Sequence, residues 1–307
     1  MKIAYLTDGG ECYQSVCLFH GLRTLLGDEV VDYPRLKPAY QGEGAAYGCG
    51  FTAYNHLPDI DIDRSDMEAK LAGGHFDAVI WNGWPVYWAE TLPFGNVPLP
   101  STVVQVIVDG GDYMANSRFS DRGLYFKREW CGKGHPFGFA IPKEMIVDHV
   151  PEKTRLWSFY EPYMPHIYKV ESDYREGYRR ASLGITHLKS GWDCMRHYEI
   201  MSQGCVPFFL GVDRVPEGNL TQLPLDLFKE VLYKYWSFYI SRIENNIRPA
   251  HWSVETATAV LGYPQKNLYG RLEELPRYAE LMLNHVRTHN TTEVLARKVL
   301  DAIKGAR

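Results

Sequence analysis

The chain has 307 residues, a formal net charge of −4 and a pI near 6.3. An apolar share of 45% against a charged share of 23% describes a globular chain able to bury one large or two modest cores. No basic excess marks a nucleic-acid binder, no apolar run reaches the roughly 18–20 residues of a membrane span, and the six cysteines form no C-x-x-C or zinc-like pairing.

"MKIAYLTDGG" opens as a short apolar strand running into a turn, not as a signal peptide, so a reduced, cytoplasmic setting is expected. Residues 11–26 follow as a helix with Val16, Phe19, Leu22 and Leu26 on one stripe and Gly27 as its stop. "EVVDYP" is a second strand. Residues 35–64 read as a long irregular loop rich in Gly, Tyr and Pro, of the sort that is usually functional or mobile. Ser65-Asp-Met-Glu68 has the spacing of a capping box and predicts a helix to about residue 72. "FDAVIWNGW", "STVVQVIVDGG" and "GLYFKREW" read as further strands.

The texture changes over 142–153, and the alternation then restarts. "TRLWSFYEP" predicts a strand, 171–182 a helix and "LGITHLK" another strand. Within 191–209 come a loop, a short helix, Gly204 as a left-handed stop and an inner strand from Val206. Residues 225–245, 253–261 and 271–303 are mostly helical, with Asn290-Thr-Thr-Glu293 as a cap. This β-α-β alternation predicts an α/β protein of two Rossmann-like domains, 1–150 and 151–307, whose parallel sheets face a cleft.

Several short motifs bear on chemistry. Asp8-Gly9-Gly10 and Asp109-Gly-Gly-Asp112 end two strands, where glycine lets a ligand approach the backbone and a carboxylate could act as a base or close a turn. Neither is a G-x-G-x-x-G or Walker A motif. "DIDIDRSD" at 59–66 fails as a calcium loop, because Arg64 and Lys70 stand where Gly and Glu are required, and reads as a solvated acidic loop. Lys127-Arg128 could face phosphates or lie in water. The eleven histidines show no metal spacing, and His187 and His197 read as structural.

Residues 187–209 carry the strongest signal. Cys194, Tyr198 and Met201 form the inward stripe of the short helix, while Arg196, Glu199 and Gln203 project together from another side. Such a set could read a ligand or form a solvated face. With Gly204-Cys205-Val206-Pro207, the segment resembles the C-terminal half of GT-B-fold glycosyltransferases of the exostosin-like and "glycosyl transferases group 1" patterns. The stretch "LFHGLRTLLGDEVVDYP" also resembles the opening of bacterial and viral members.

The resemblance implies a nucleotide-diphosphate sugar as co-substrate, a UDP-sugar being favoured, with no metal or other cofactor. In that reading Glu199 accepts the ribose hydroxyls. Arg196 and the helix start face the diphosphate, and Lys189, Ser190, Gly191, Trp192, Asp193 and Tyr198 complete the donor site. Gly9, Gly10, Lys127 and Arg128 are phosphate-facing candidates from the other half. Gly191 stands where the retaining branch has a glutamate, leaving Asp193 and Lys189 as local substitutes. An inverting enzyme would need a base from the N-terminal half: Asp8, His20 or Asp109. The acceptor would be a glycan or other hydroxyl compound; a DNA base is disfavoured by the acidic balance. A sugar-nucleotide 2-epimerase and a non-catalytic nucleotide-sugar-binding protein are the alternatives.

Overall fold

The structure, a computed structural model, describes residues 1–43, 51–158, 168–244 and 271–307, the side chains of 237–244 excepted. The expected helix over 253–261, part of the loop over 35–64 and Cys49 lie outside the described residues. By contacts the chain divides into two compact units. The first is Met1–Met145 with Gly218–Gln222 and Thr288–Arg307; the second is Ile146–Glu217 with Leu223–Arg287.

In the first unit six strands run parallel: β1 (Ile3–Leu6), β2 (Val30–Tyr33), β3 (Ala78–Asn82), β4 (Val104–Asp109), β5 (Leu124–Lys127) and β6 (His135–Pro136). Their order is β2-β1-β3-β4-β5-β6. β1 and β3 are buried at every position because both faces of the sheet are covered, which is why these strands read as unbroken apolar runs instead of alternating ones. Ala4 and Leu6 pack with Val79, Trp81 and Ile107 against Met67 and Leu71 of α2 (Met67–Ala72) and Val86 of α3 (Trp84–Trp88). Tyr5 points the other way, its ring 5.3 Å from Phe19 of α1 (Tyr13–Leu26).

The chain from β1 leads to β2 on one side, whereas that from β3 leads to β4 on the other. The carboxyl ends of β1 and β3 therefore flank the switch point of the sheet, the place where open parallel sheets leave a crevice.

α1 has its expected stop, Gly27 at φ 61°. Its outer cover comes from far along the chain. The last helix, numbered α8 here (Thr292–Gly305), packs on α1, and a Cβ on Gly21 would come within 1.9 Å of the Thr292 carbonyl oxygen. The cap expected within Asn290-Thr-Thr-Glu293 falls on Thr291, which accepts from Val294 N at 3.3 Å. The backbone of Ile141 bonds both Asn290 and Thr292, at 2.8 and 3.0 Å. Residues from 288 onward thus group with the N-terminal unit, whereas the sequence reading assigned everything after 150 to the second half. Helical periodicity shows that α8 has an apolar stripe but not which partner covers it.

The capping box at Ser65 does not form. α2 begins after Asp66, which is left-handed (φ 47°) and makes no side-chain cap. Ser65 instead turns back to Asp63, donating from N and Oγ at 2.9 and 2.6 Å, while Lys70 Nζ donates to the same carboxylate at 2.7 Å. With its N–H and Oγ–H both donated to Asp63, Ser65 is turned back from the helix start, and its oxygen is not placed to accept from the helix N–H groups.

Among the described residues the second unit holds three parallel strands in the order β7-β8-β9: β7 (Arg155–Trp157), β8 (Ala181–His187) and β9 (Val206–Leu210). Around them lie α4 (Glu171–Arg179), α5 (Met195–Ser202), α6 (Leu225–Glu244) and α7 (Leu275–His289). In α7 the buried positions Leu275, Tyr278, Ala279, Met282, Leu283 and Val286 follow one helical stripe.

Candidate functional site

The segment that carried the sequence signal lies at the carboxyl end of β8, where the chain turns through 188–194 into α5. β8 and α5 approach closely: a Cβ on Gly184 would come within 2.9 Å of Ile200 Cγ2. α5 ends in a Schellman motif, with Cys205 N donating to Ile200 O at 3.1 Å and Gly204 N to Met201 O at 3.0 Å. Gly204 is left-handed (φ 63°), as expected.

All eight residues of α5 are buried, including Arg196 and Glu199, each 8% exposed. The reading of these two as a solvated face is therefore overturned, because α4 covers that side. Tyr174 of α4 donates to Glu199 Oε2 at 2.6 Å, and its hydroxyl lies 3.3 Å from that of Tyr178. Burial, and then the Glu199 charge, push the Tyr174 phenol well above its ordinary value, so it stays a donor at neutral pH. Gln203, grouped with Arg196 and Glu199 from the sequence, accepts from Arg179 Nε at 2.9 Å. Tyr174 was missed in the sequence; its only signal was helical spacing with Tyr178.

The loop before α5 is fixed from below. Tyr198 donates to Asp193 Oδ1 at 2.9 Å. His197 bridges the Thr186 hydroxyl (2.9 Å) and the Trp192 carbonyl (2.9 Å). A carbonyl can only accept, so His197 carries its proton on Nε2 and takes the Thr186 hydroxyl at Nδ1. Burial, helped by the Arg196 charge, brings His197 down to about 3 and His187 to about 4, so both rings are neutral at physiological pH. Both act as structural groups. Lys189 and Ser190 are exposed at the loop tip, Trp192 is half-buried and Gly191 is buried. Of the residues read from the sequence as donor-binding, Lys189 and Ser190 are thus exposed on the loop, whereas Asp193 and Tyr198 are buried and bonded to each other.

The first unit gathers a second group. Asp8 is exposed at the carboxyl end of β1, followed by half-buried Gly9 and Gly10, with Gly10 N donating to Asp8 Oδ1 at 3.3 Å. Across the switch point Asn82 ends β3, donating to Tyr5 Oη at 2.6 Å and accepting from Gly83 N at 2.6 Å. A Cβ on Gly83 (φ 82°) would meet Ser15 Oγ at 3.0 Å and Asp8 Oδ1 at 3.5 Å.

The other candidates of this unit do not fit their expected roles. Asp109 is 2% exposed and already accepts from Gly111 N (2.9 Å), Ser117 N (3.1 Å), Lys127 Nζ (3.2 Å) and Tyr125 Oη. A carboxylate so saturated is an anchor, not a proton acceptor. Lys127 and Arg128 neither lie in water nor face an open site, being 0% and 3% exposed. The ladder sets Lys127 directly beside Asp109, and Arg128 pairs with Asp112 and Glu129 while donating to Gly110 O. His20 is 4% exposed, with Nδ1 2.8 Å from Thr292 Oγ1 and Nε2 3.2 Å from Glu144, so both ring nitrogens are occupied. Of the three candidate bases, only Asp8 is open to an acceptor.

No protein-family model matches the chain, and no curated protein does. Among solved structures the chain is similar to AviGT4, described as a glycosyltransferase involved in avilamycin A biosynthesis. The match covers 100% of this chain and 98% of that one at 11% identity, with a TM-score of 0.44. Among the described residues no group of three or more His, Cys, Asp or Glu side chains could hold a metal ion, and no helix is long and apolar enough to cross a membrane.

Proposed function

We propose that the protein is a glycosyltransferase of GT-B type that takes a nucleotide-diphosphate sugar, with a UDP-sugar favoured, and transfers the sugar to a hydroxyl acceptor without a metal ion. The observation that carries this reading is the buried Glu199, oriented by Tyr174 at 2.6 Å, on the same helix as Arg196. A carboxylate accepts hydrogen bonds through both of its oxygens, which is the chemistry that recognition of ribose hydroxyls needs. Arg196 and the start of α5 suit a diphosphate, whose charge grows as the glycosidic bond breaks. The resemblance of 187–209 to exostosin-like and group 1 transferases rests on that segment alone.

In the transfer step a base removes the acceptor hydroxyl proton, the oxygen attacks the anomeric carbon, and the bond electrons leave with the diphosphate. We assign the base to Asp8, which is exposed at the end of β1. The test is calorimetric binding of UDP, GDP, dTDP, CDP and ADP, with and without magnesium, to wild type and Glu199→Ala. The expected result is a magnesium-independent preference for one diphosphate, UDP first, that the variant loses. Equal binding by the variant, or no nucleotide binding at all, overturns the donor assignment.

A further inference from the structure

Beside the switch-point crevice of the first unit, α3 and the turn after β4 expose a run of aromatic rings. Trp84 is 48% exposed, Trp88 64% and Tyr113 39%, a degree of exposure that large rings avoid in ordinary surface. The indoles of Trp84 and Trp88 are nearly parallel (24°) with centroids 6.4 Å apart, and Tyr113 meets Trp88 edge-on at 5.6 Å. The rings are also braced from behind. Tyr87 packs on Trp84 at 6.1 Å and donates to Gln14 Oε1 at 2.8 Å, and Lys127 Nζ lies 5.3 Å from the centre of the Tyr113 ring.

Two further facts say what such a surface would hold. Gln14 and Ser15, each 1% exposed at the start of α1, have a buried Nε2 and Oγ without a hydrogen-bond partner. Both lie at the carboxyl ends of the strands: Ser15 Oγ beside Gly83 and Asp8, and Gln14 Oε1 within 1.9 Å of where a Cβ on Gly110 would stand. Buried polar groups left unmatched are costly, and a ligand hydroxyl or ordered water would relieve them. The rim is acidic as well. Asp8 and Glu90 are exposed carboxylates, Asp112 is exposed but paired with Arg128, and Lys127 and Arg128 are buried against Asp109 and Glu129. The Asp109 and Asp112 charges, after burial, help hold the Tyr113 phenol above its ordinary value.

We infer that the Trp84–Trp88–Tyr113 surface is a stacking platform for a neutral oligosaccharide, placing an acceptor hydroxyl at the crevice beside Asp8. The C–H faces of sugar rings carry partial positive charge and match the negative faces of indole and phenol. Sugar hydroxyls can donate to carboxylates and accept from an amide. A nucleic-acid strand could stack on the same rings, but its phosphates would be repelled by the Asp8 and Glu90 carboxylates. A run of three rings fits an oligosaccharide better than a single sugar. This inference rests on the first unit being the acceptor side of a transferase.

The test is titration of the full chain with cellotetraose, maltotetraose and chitotetraose, and separately with single-stranded DNA, followed by tryptophan fluorescence and calorimetry. We expect at least one oligosaccharide to bind saturably, with Trp84→Ala and Trp88→Ala each weakening it about tenfold while leaving UDP binding and the urea midpoint unchanged. Both rings are exposed, so the variants should fold. Failure of all three oligosaccharides at millimolar concentration, undiminished binding by both variants, or tighter binding of DNA overturns the platform. UDP binding without oligosaccharide binding sinks this inference and leaves the donor assignment standing; the converse sinks the donor assignment alone.

Discussion

Tyr174 Oη stands 2.6 Å from Glu199 Oε2, joining two helices through one charge-assisted hydrogen bond in a buried setting. The bond does for the candidate donor site what a fixed support does for any ligand-binding carboxylate: it sets the orientation before the ligand arrives. Tyr174→Phe keeps the ring and removes the donor, leaving the carboxylate oxygen short of a partner. The expected loss of stability is about 1.5–3 kcal/mol, the range for hydrogen bonds to charged groups. Urea unfolding of wild type and variant measures it. Because the folded phenol titrates well above 10, this contribution holds through neutral pH and falls once the unfolded chain ionises at higher pH.

Acid should weaken the second unit for a different reason. His197 and His187 have folded values of about 3 and about 4, below the ordinary 6.5, so the folded chain resists a proton that the unfolded chain accepts. Stability from these neutral rings is complete above about pH 6.5 and declines as pH falls toward those values. Protonation of His197 would also oblige the Thr186 hydroxyl to turn round. The urea midpoint should therefore drop between about pH 7 and pH 4.5, and drop less in His197→Gln. A flat midpoint over that interval in wild type would remove the argument.

Asp109 ends β4 and Asp8 follows β1 by two residues, each before a pair of glycines, and their environments predict opposite phenotypes. Asp8→Asn, at an exposed position, should leave the unfolding midpoint in place and lower turnover about 10²–10⁴-fold once an acceptor is found. Lys127→Met strands Asp109 in the core and should destabilise by about 3–5 kcal/mol. A turnover assay set beside denaturation separates the two. An Asp8→Asn enzyme of full activity would dismiss the aspartate as the base.

Gly21→Ala has a sign opposite to the usual one. Within a helix, replacing glycine by alanine stabilises by about 0.5–1 kcal/mol. Here the new methyl would press on the Thr292 carbonyl at 1.9 Å and push α8 away from α1. A net loss of about 1–3 kcal/mol is expected. Thermal unfolding reads it directly, and a stabilised variant would mean that α8 can move aside without cost.

The strands were legible because β1, β3 and β9 are buried at every position and so appear as continuous apolar runs. Gly27 and Gly204 were legible because their positive φ angles favour residues without a Cβ. Local chemistry also predicted a cap within Asn290-Thr-Thr-Glu293, and Thr291 supplies it through a bond that spans only three residues. Ser65 shows the limit even at short range, because the capping pattern was met while the serine turned back to donate to Asp63.

The sequence by itself thus determined an α/β chain with two stretches of parallel sheet, and it drew attention to residues 187–209 as a unit. Only the tertiary structure decided which charged groups are open and which are taken. The neighbours concerned are distant in sequence: Lys127 meets Asp109 across a ladder, His20 meets Thr292 between helices, and Tyr174 reaches Glu199 from α4. The same holds for the aromatic surface, since Trp88 and Tyr113 become neighbours only when β3 and β4 pair. Periodicity encodes which face of an element is buried, but not the partner that buries it. A carboxylate's chemistry depends on that partner.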